Sequence, residues 1–270
     1  MNTIKRNNVN ILGKGKQAVM FAHGFGCDQN MWRFVYPAFE DNYKVILFDH
    51  VGAGKSDSLS YDSDKYSSLN GYAQDVLEIC KELKLSDVIF VGHSVSAMIG
   101  ILASIKSPEY FSQLILVGPS PCYINDGEYK GGFNRADIEG LLDSMDNNYL
   151  GWARSITPVI MGNPDRPELS LELGNSFCAT DPEIAQEFAR VTFLSDNRKD
   201  ITKCRVPSLI LQCSEDVIAP REVGEYMHRL MPESTLKILQ ATGHCPNLSA
   251  PEETIEAIKV YLETQKELVG

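Results

Sequence analysis

The sequence predicts an α/β fold: a mostly parallel central sheet, helices on both faces, and a helical segment inserted late in the sheet. Three observations carry this. Short apolar runs without polar alternation occur at residues 45–48, 88–91, 114–117 and 209–211. Such runs suit strands covered on both faces, as parallel strands are. Stripes of helical period lie between them. The alternation then stops between Pro119 and Val206, where only helical stripes are found.

In chain order, strands are expected at 9–12 and 18–22, split by Gly13-Lys14-Gly15, and at 45–48. A helix follows over 68–83, because Leu69, Tyr72, Val76, Ile79, Cys80 and Leu83 form one stripe. Residues 88–105 carry no charge and reach the lower limit for a membrane span. However, Gly92-His93-Ser94 interrupts them and the β-branched run at 88–91 opens them, so a strand, a tight turn and a buried helix are predicted. Further strands fall at 114–117, 209–213 and 236–239. Ser249 is the expected N-cap of the last helix, with Pro251 in its first turn and Ile255, Ile258 and Leu262 facing inward.

Within the interruption, Ile138, Leu141, Leu142 and Met145 make one helical stripe, and Ile184, Ala185, Phe188 and Val191 another. The turn-rich residues 162–167 separate helices. Phe133, Tyr149, Trp152, Phe177 and Phe193 exceed what a simple connection needs. The expected organisation is a core of residues 1–119 and 206–270, with residues 120–205 as an inserted cap. These elements alternate strand and helix as crossover-connected folds do.

The formal net charge is −11. No basic field exists to attract phosphates, so neither nucleic acid nor an anionic membrane is expected as partner. Seven cysteines, an odd number with no C-x-x-C pair, predict free thiols rather than disulfides or zinc sites. The first residues, MNTIKRNNVNIL, have no apolar signal-peptide region. Both observations point to the cytoplasm.

Chemistry concentrates at Gly92-His93-Ser94-Val95-Ser96, between an apolar run and an apolar helix. A nucleophilic serine needs a sharp strand-to-helix turn that lifts its hydroxyl clear, with small neighbours two positions either side. Gly92 meets this demand, while Ser96 stands where the usual pattern has Gly. The nucleophile needs a base, and the base an orienting carboxylate. Asp216 follows a buried strand, and His244 lies in Thr242-Gly243-His244-Cys245-Pro246, giving the order Ser, acid, His. Glu215 competes with Asp216 as the acid. Asp216 is preferred because Val217-Ile218-Ala219-Pro220 turns back into the core.

Two backbone N–H groups should face the developing oxyanion. Val95, at a helix start, supplies one. Phe25, in His23-Gly24-Phe25-Gly26 after an early strand, is the candidate for the second. His23 is read as an orienting group rather than a proton carrier, His93 as packing in the elbow, and His228 as lying on a surface helix. Gly52-x-Gly54 lacks the third glycine of a dinucleotide site, and no metal-binding motif is visible, so no cofactor and no metal are expected.

His23-Gly24-Phe25-Gly26, the elbow through Gly100, residues 119–126, Gly131-Gly132-Phe133 and Gly243-His244 together resemble one subgroup of the α/β-hydrolase superfamily. That subgroup holds the bacterial stress-response regulator RsbQ and the plant karrikin and strigolactone receptors. Cys27-Asp28-Gln29 and Leu211-Gln212-Cys213 look more like bacterial members, and the Ser96 elbow more like the plant receptors. The resemblance implies an α/β-hydrolase fold with a four-helix cap over a mostly apolar pocket. By analogy Phe25, Tyr123, Phe133, Trp152, Phe193 and Ala219 line it. It also implies slow hydrolysis of a small apolar ester or butenolide-like lactone. The RsbQ-like role adds a partner phosphatase in a stress pathway that releases an alternative sigma factor. An ordinary esterase without signalling is the alternative. A haloperoxidase-like or meta-cleavage hydrolase shares the triad but not the cap words. Epoxide hydrolases and dehalogenases need Asp where Ser94 stands.

Overall fold

The computed structural model describes residues 2–269. Seven strands form one sheet in the order β1-β3-β2-β4-β5-β6-β7. They are β1 (Asn10–Leu12), β2 (Ala18–Ala22), β3 (Lys44–Leu47), β4 (Val88–His93), β5 (Phe111–Val117), β6 (Ser208–Glu215) and β7 (Ser234–Thr242). Only the β1–β3 pair is antiparallel. Every residue of β2 and of β4 is buried. Successive side chains point to opposite faces, so both faces of the central sheet are covered.

The helices are α1 (Thr3–Arg6), α2 (Leu69–Glu82), α3 (Val95–Lys106), α4 (Arg135–Asn147), α5 (Tyr149–Met161), α6 (Pro167–Ala179), α7 (Pro182–Phe193), α8 (Arg198–Ile201), α9 (Arg221–Leu230), α10 (Pro246–Ser249) and α11 (Pro251–Val269). The apolar residues 88–105 are β4, a turn and α3. Among the described residues no helix is long and apolar enough to cross a membrane.

Helices α4 to α8 lie between β5 and β6 in the chain, where the sequence loses its strand pattern. Local chemistry sets their ends. Asn134 and Asp137 form a reciprocal capping box at the start of α4. Asp181 caps α7, with Pro182 in its first turn. Gly162, at φ +62°, stops α5 in the left-handed conformation. Trp152 stacks between Tyr149 and Phe177, at 6.0 Å from each, which joins α5 to α6.

Three elements differ from the sequence reading. β1 is exposed throughout and antiparallel, because it is the sheet's edge. Ser249 does not cap α11: it is the last residue of α10, and its buried hydroxyl has no partner among the described residues. Ala250 intervenes and accepts the Thr254 N–H and hydroxyl on its carbonyl. β7 extends three residues beyond residues 236–239 because its outer part alternates rather than running apolar.

Candidate active site

Ser94 sits between β4 and α3 at φ +56° and ψ −124°. A positive φ is rare for a residue with a Cβ, and the strain is held by close packing beneath it. A Cβ on Gly92 would come within 2.5 Å of the Ser96 carbonyl oxygen. Only glycine lets the strand pass the first turn of α3 at this distance.

The carboxyl ends of β4, β6 and β7 bring three side chains together. The Ser94 hydroxyl is 2.7 Å from His244 Nε2, and His244 Nδ1 is 2.7 Å from Asp216 Oδ2. All three residues are buried. An ionised carboxylate only accepts, so Nδ1 carries the imidazole proton. Nε2 is then left bare to accept from Ser94. Asp216 Oδ1 is occupied by the N–H groups of Ile218 and Ala219, at 2.8 and 3.1 Å, which aims Oδ2 at the imidazole. Glu215 is exposed at the end of β6 and supports the site through its backbone: its carbonyl accepts from Gly243 N–H at 2.7 Å.

Both backbone polar groups of His244 are fixed. Its N–H donates to Ile160 of α5 at 2.9 Å, and its carbonyl accepts from His93 Nε2 at 2.7 Å. Burial, with His244 close by, holds the His93 pKa down at about 3. His93 is thus a neutral strut beneath the site. A Cβ on Gly24 would come 2.6 Å from its Nδ1, so the loop after β2 crosses the elbow closely. His23, fully buried, receives the His50 N–H on Nε2 at 3.0 Å and lies 2.9 Å from Gly24 O through Nδ1. That is orientation, and burial lowers its pKa. The N–H groups of Phe25 and Val95 have no protein acceptor among the described residues.

Above Ser94 lies a cavity of about 30 Å³, room for roughly two waters. Phe25, Tyr123 and Phe193 line it. Phe133, Trp152 and Ala219 do not. Phe133 pairs with Ile124 in an isolated bridge. Trp152 is one layer back, edge-on to Phe25 at 6.4 Å. Ala219 spends its N–H on Asp216 and its carbonyl on Gln212. The wall includes Ile160 of α5, Leu173 and Phe177 of α6 and Thr192 of α7, which the sequence does not single out as lining. Phe177 was visible only as one of several cap aromatics, and its place against Phe25 depends on Gly26. At φ +70°, a Cβ there would strike the Phe177 ring at 2.4 Å. Phe25 meets Phe177, Phe188 and Phe193 at 5.4, 5.7 and 6.0 Å.

The cavity is otherwise apolar, but Tyr123 and Thr192 keep buried hydroxyls without a partner among the described residues. Burial pushes the Tyr123 phenol up to about 12, so it stays a donor. Cys245 follows His244 directly and also lines the cavity. It is 1 % exposed, and burial pushes its thiol well above the ordinary range, so little thiolate forms.

The model of the alpha/beta hydrolase family matches residues 19–257. The chain belongs to the alpha/beta hydrolase family. Among curated members it is 39 % identical to karrikin insensitive 2 receptor CA of Petunia hybrida, over 93 % of this chain and 94 % of that one. It is 38 % identical to strigolactone esterase D14 of Arabidopsis thaliana, over 96 % and 97 %. Among solved structures, a hydrolase from Oleispira antarctica is 44 % identical with a TM-score of 0.95, covering 97 % of this chain and 96 % of that one. The matched residues run through β2 to β7 and include helices α4 to α8.

Proposed function

We propose that this chain is a serine hydrolase of a small apolar ester or lactone, with Ser94 as nucleophile, His244 as general base and acid, and Asp216 as the group that orients His244. The hydrogen-bonded line from Ser94 through His244 to Asp216, at the floor of an apolar cavity, carries this reading. His244 Nε2 takes the Ser94 proton as the hydroxyl attacks the carbonyl. The Phe25 and Val95 N–H groups stabilise the tetrahedral oxyanion. His244 then gives the proton to the leaving oxygen, or to the ring-opened alkoxide of a lactone. Water repeats the sequence on the acyl-enzyme.

The cavity is too small for a butenolide as it stands, so entry requires Phe25, Phe193 or their cap neighbours to give way. That coupling predicts slow turnover. The relatives named as karrikin receptors and as a strigolactone esterase favour a signalling role for the same site. In that role the liganded cap is read by a protein partner, with a phosphatase of a stress pathway as the RsbQ-like form. A plain small-ester hydrolase is the second reading.

Hydrolysis of an aryl acetate and of a simple butenolide tests the chemistry. Slow turnover in the wild type that vanishes in Ser94→Ala is expected. Equal rates in the two proteins would remove Ser94 from the mechanism. Ligand-dependent recovery of a host protein on the immobilised chain tests signalling, and fast turnover with no recovered partner favours the plain esterase.

A further inference from the structure

Ser96 breaks the usual elbow pattern, and the structure gives it specific partners. Its hydroxyl donates to the His23 carbonyl at 2.5 Å. It lies 2.7 Å from His50 Nε2. A hydroxyl has one proton, and the His23 carbonyl has none to give, so His50 donates from Nε2. The His50 N–H in turn donates to His23 Nε2 at 3.0 Å. The three residues form a closed ring of directional bonds, and each is at most 1 % exposed.

This ring joins three separate elements. His23 follows β2, His50 follows β3, and Ser96 lies in the first turn of α3. Phe25 is two residues beyond His23, and Val95 immediately precedes Ser96. The two N–H groups assigned to the oxyanion therefore sit on different elements, and the Ser96 hydroxyl ties those elements directly together.

We propose that Ser96, held by His50, is a positioning residue that sets the spacing between the Phe25 and Val95 N–H groups. The proposal rests on the serine-hydrolase reading above. Oxyanion stabilisation demands donors about 2.7–3.1 Å from the developing charge. Glycine or alanine at position 96 leaves the His23 carbonyl and His50 Nε2 without their shared partner. The loop carrying Phe25 is then anchored to α3 only by packing, and a misplacement of about 1 Å can lower the rate up to about 100-fold. The gain is selective for the transition state, because a ground-state ester carbonyl is less charged.

The test compares wild type with Ser96→Ala, Ser96→Gly and His50→Phe. Glycine is the usual residue at this elbow position, so Ser96→Gly guards against misfolding. Three quantities are read: kcat and KM on an aryl acetate, inhibition by phenylboronic acid, and the thermal midpoint. Boronic acids form a tetrahedral adduct on serine that mimics the oxyanion. The proposal predicts that kcat falls about tenfold or more in both Ser96 variants. KM stays within about twofold, and boronate inhibition weakens by the same factor as kcat. His50→Phe shows a smaller loss in the same direction. Unchanged kcat and boronate affinity in Ser96→Gly would overturn it. So would a loss of kcat with boronate inhibition intact. Labelling of wild-type Ser94 by a fluorophosphonate separates the two levels. No labelling overturns the hydrolase reading and this inference with it, whereas labelling at equal rates in wild type and Ser96→Gly overturns this inference alone.

Discussion

The backbone N–H of His244 donates to the carbonyl of Ile160, 2.9 Å away. The loop that carries the imidazole is therefore bonded to the last turn of α5. Asn163 strengthens the joint by donating to both Met161 and Thr242 carbonyls, and Arg166 Nη1 reaches the Ser249 carbonyl at 2.8 Å. Gly243 allows this approach: at φ +80°, a Cβ there would lie 1.8 Å from Met161 O.

Gly243→Ala should therefore damage stability and catalysis together. Backbone strain plus the steric clash predicts a loss of about 2–4 kcal/mol in urea unfolding. Asn163→Ala, which removes the two bonds without a clash, should cost about 1–2 kcal/mol and lower kcat more than it raises KM. A Gly243→Ala protein with wild-type unfolding would show that α5 and the His244 loop are not joined as described.

The strain at Ser94 gives a stability prediction of opposite sign. Ser94→Gly relieves the positive φ and should stabilise the fold by about 1 kcal/mol while removing hydrolysis. Ser94→Ala keeps a Cβ at the same φ and should stabilise less. Paired thermal or urea unfolding of the two variants checks the order. Ser94→Ala at least as stable as Ser94→Gly would contradict it.

Acid should destabilise the fold through buried neutral histidines. His23, His50 and His93 all have pKa values lowered by burial, His93 to about 3. A lowered folded pKa means that the unfolded chain binds more protons below about pH 6.5. Stability is thus full above that pH and falls as pH drops toward the folded values. Each such histidine removes about 1.4 kcal/mol per pH unit in that window. Urea midpoints at pH 7.5, 6.5 and 5.5 should fall in that order, with most of the drop in the last step. His93→Phe or His50→Phe should flatten the profile. A midpoint independent of pH would show that these rings are not held neutral.

The small volume over Ser94 predicts a size limit. Phe193→Ala should widen the space over Ser94, raising kcat/KM for longer acyl esters relative to acetate. It should also cost about 3–5 kcal/mol of stability, as large-to-small core changes do. Thr192→Val fills the same volume without a hydroxyl. It should leave simple alkyl acetates unaffected and weaken turnover of esters bearing a second oxygen. If Phe193→Ala leaves chain-length preference unchanged, Phe193 does not limit the cavity.

The central sheet was legible because its strands are short apolar runs between glycines and helical stripes, as at residues 88–91 before Gly92. The edge strands were less so, because β1 is exposed and β7 alternates. The Ser94–His244–Asp216 line was readable from local words at the ends of predicted strands. The cavity wall was not. Tyr123 and Phe193 followed from the family resemblance, but Phe133, Trp152 and Ala219 have other neighbours. Whether a cap aromatic faces Ser94 depends on helix-to-helix packing, and Phe177 reaches Phe25 only because Gly26 has no Cβ. Ser96 was visible as a departure from pattern, but its ring needs His23 and His50 brought from two other strands. Ser249 looked like a cap because Pro251 follows it, and the extra turn of α10 moved the helix start.

The most direct test is to trap the acyl-enzyme. Mixing the protein with an aryl acetate, quenching in acid and mapping the peptides by mass spectrometry should find one acetyl group, on Ser94. It should be absent in Ser94→Ala, and in His244→Ala it should form far more slowly. Acetyl on another residue, or full turnover in Ser94→Ala, would contradict a nucleophilic Ser94 activated by His244 and Asp216.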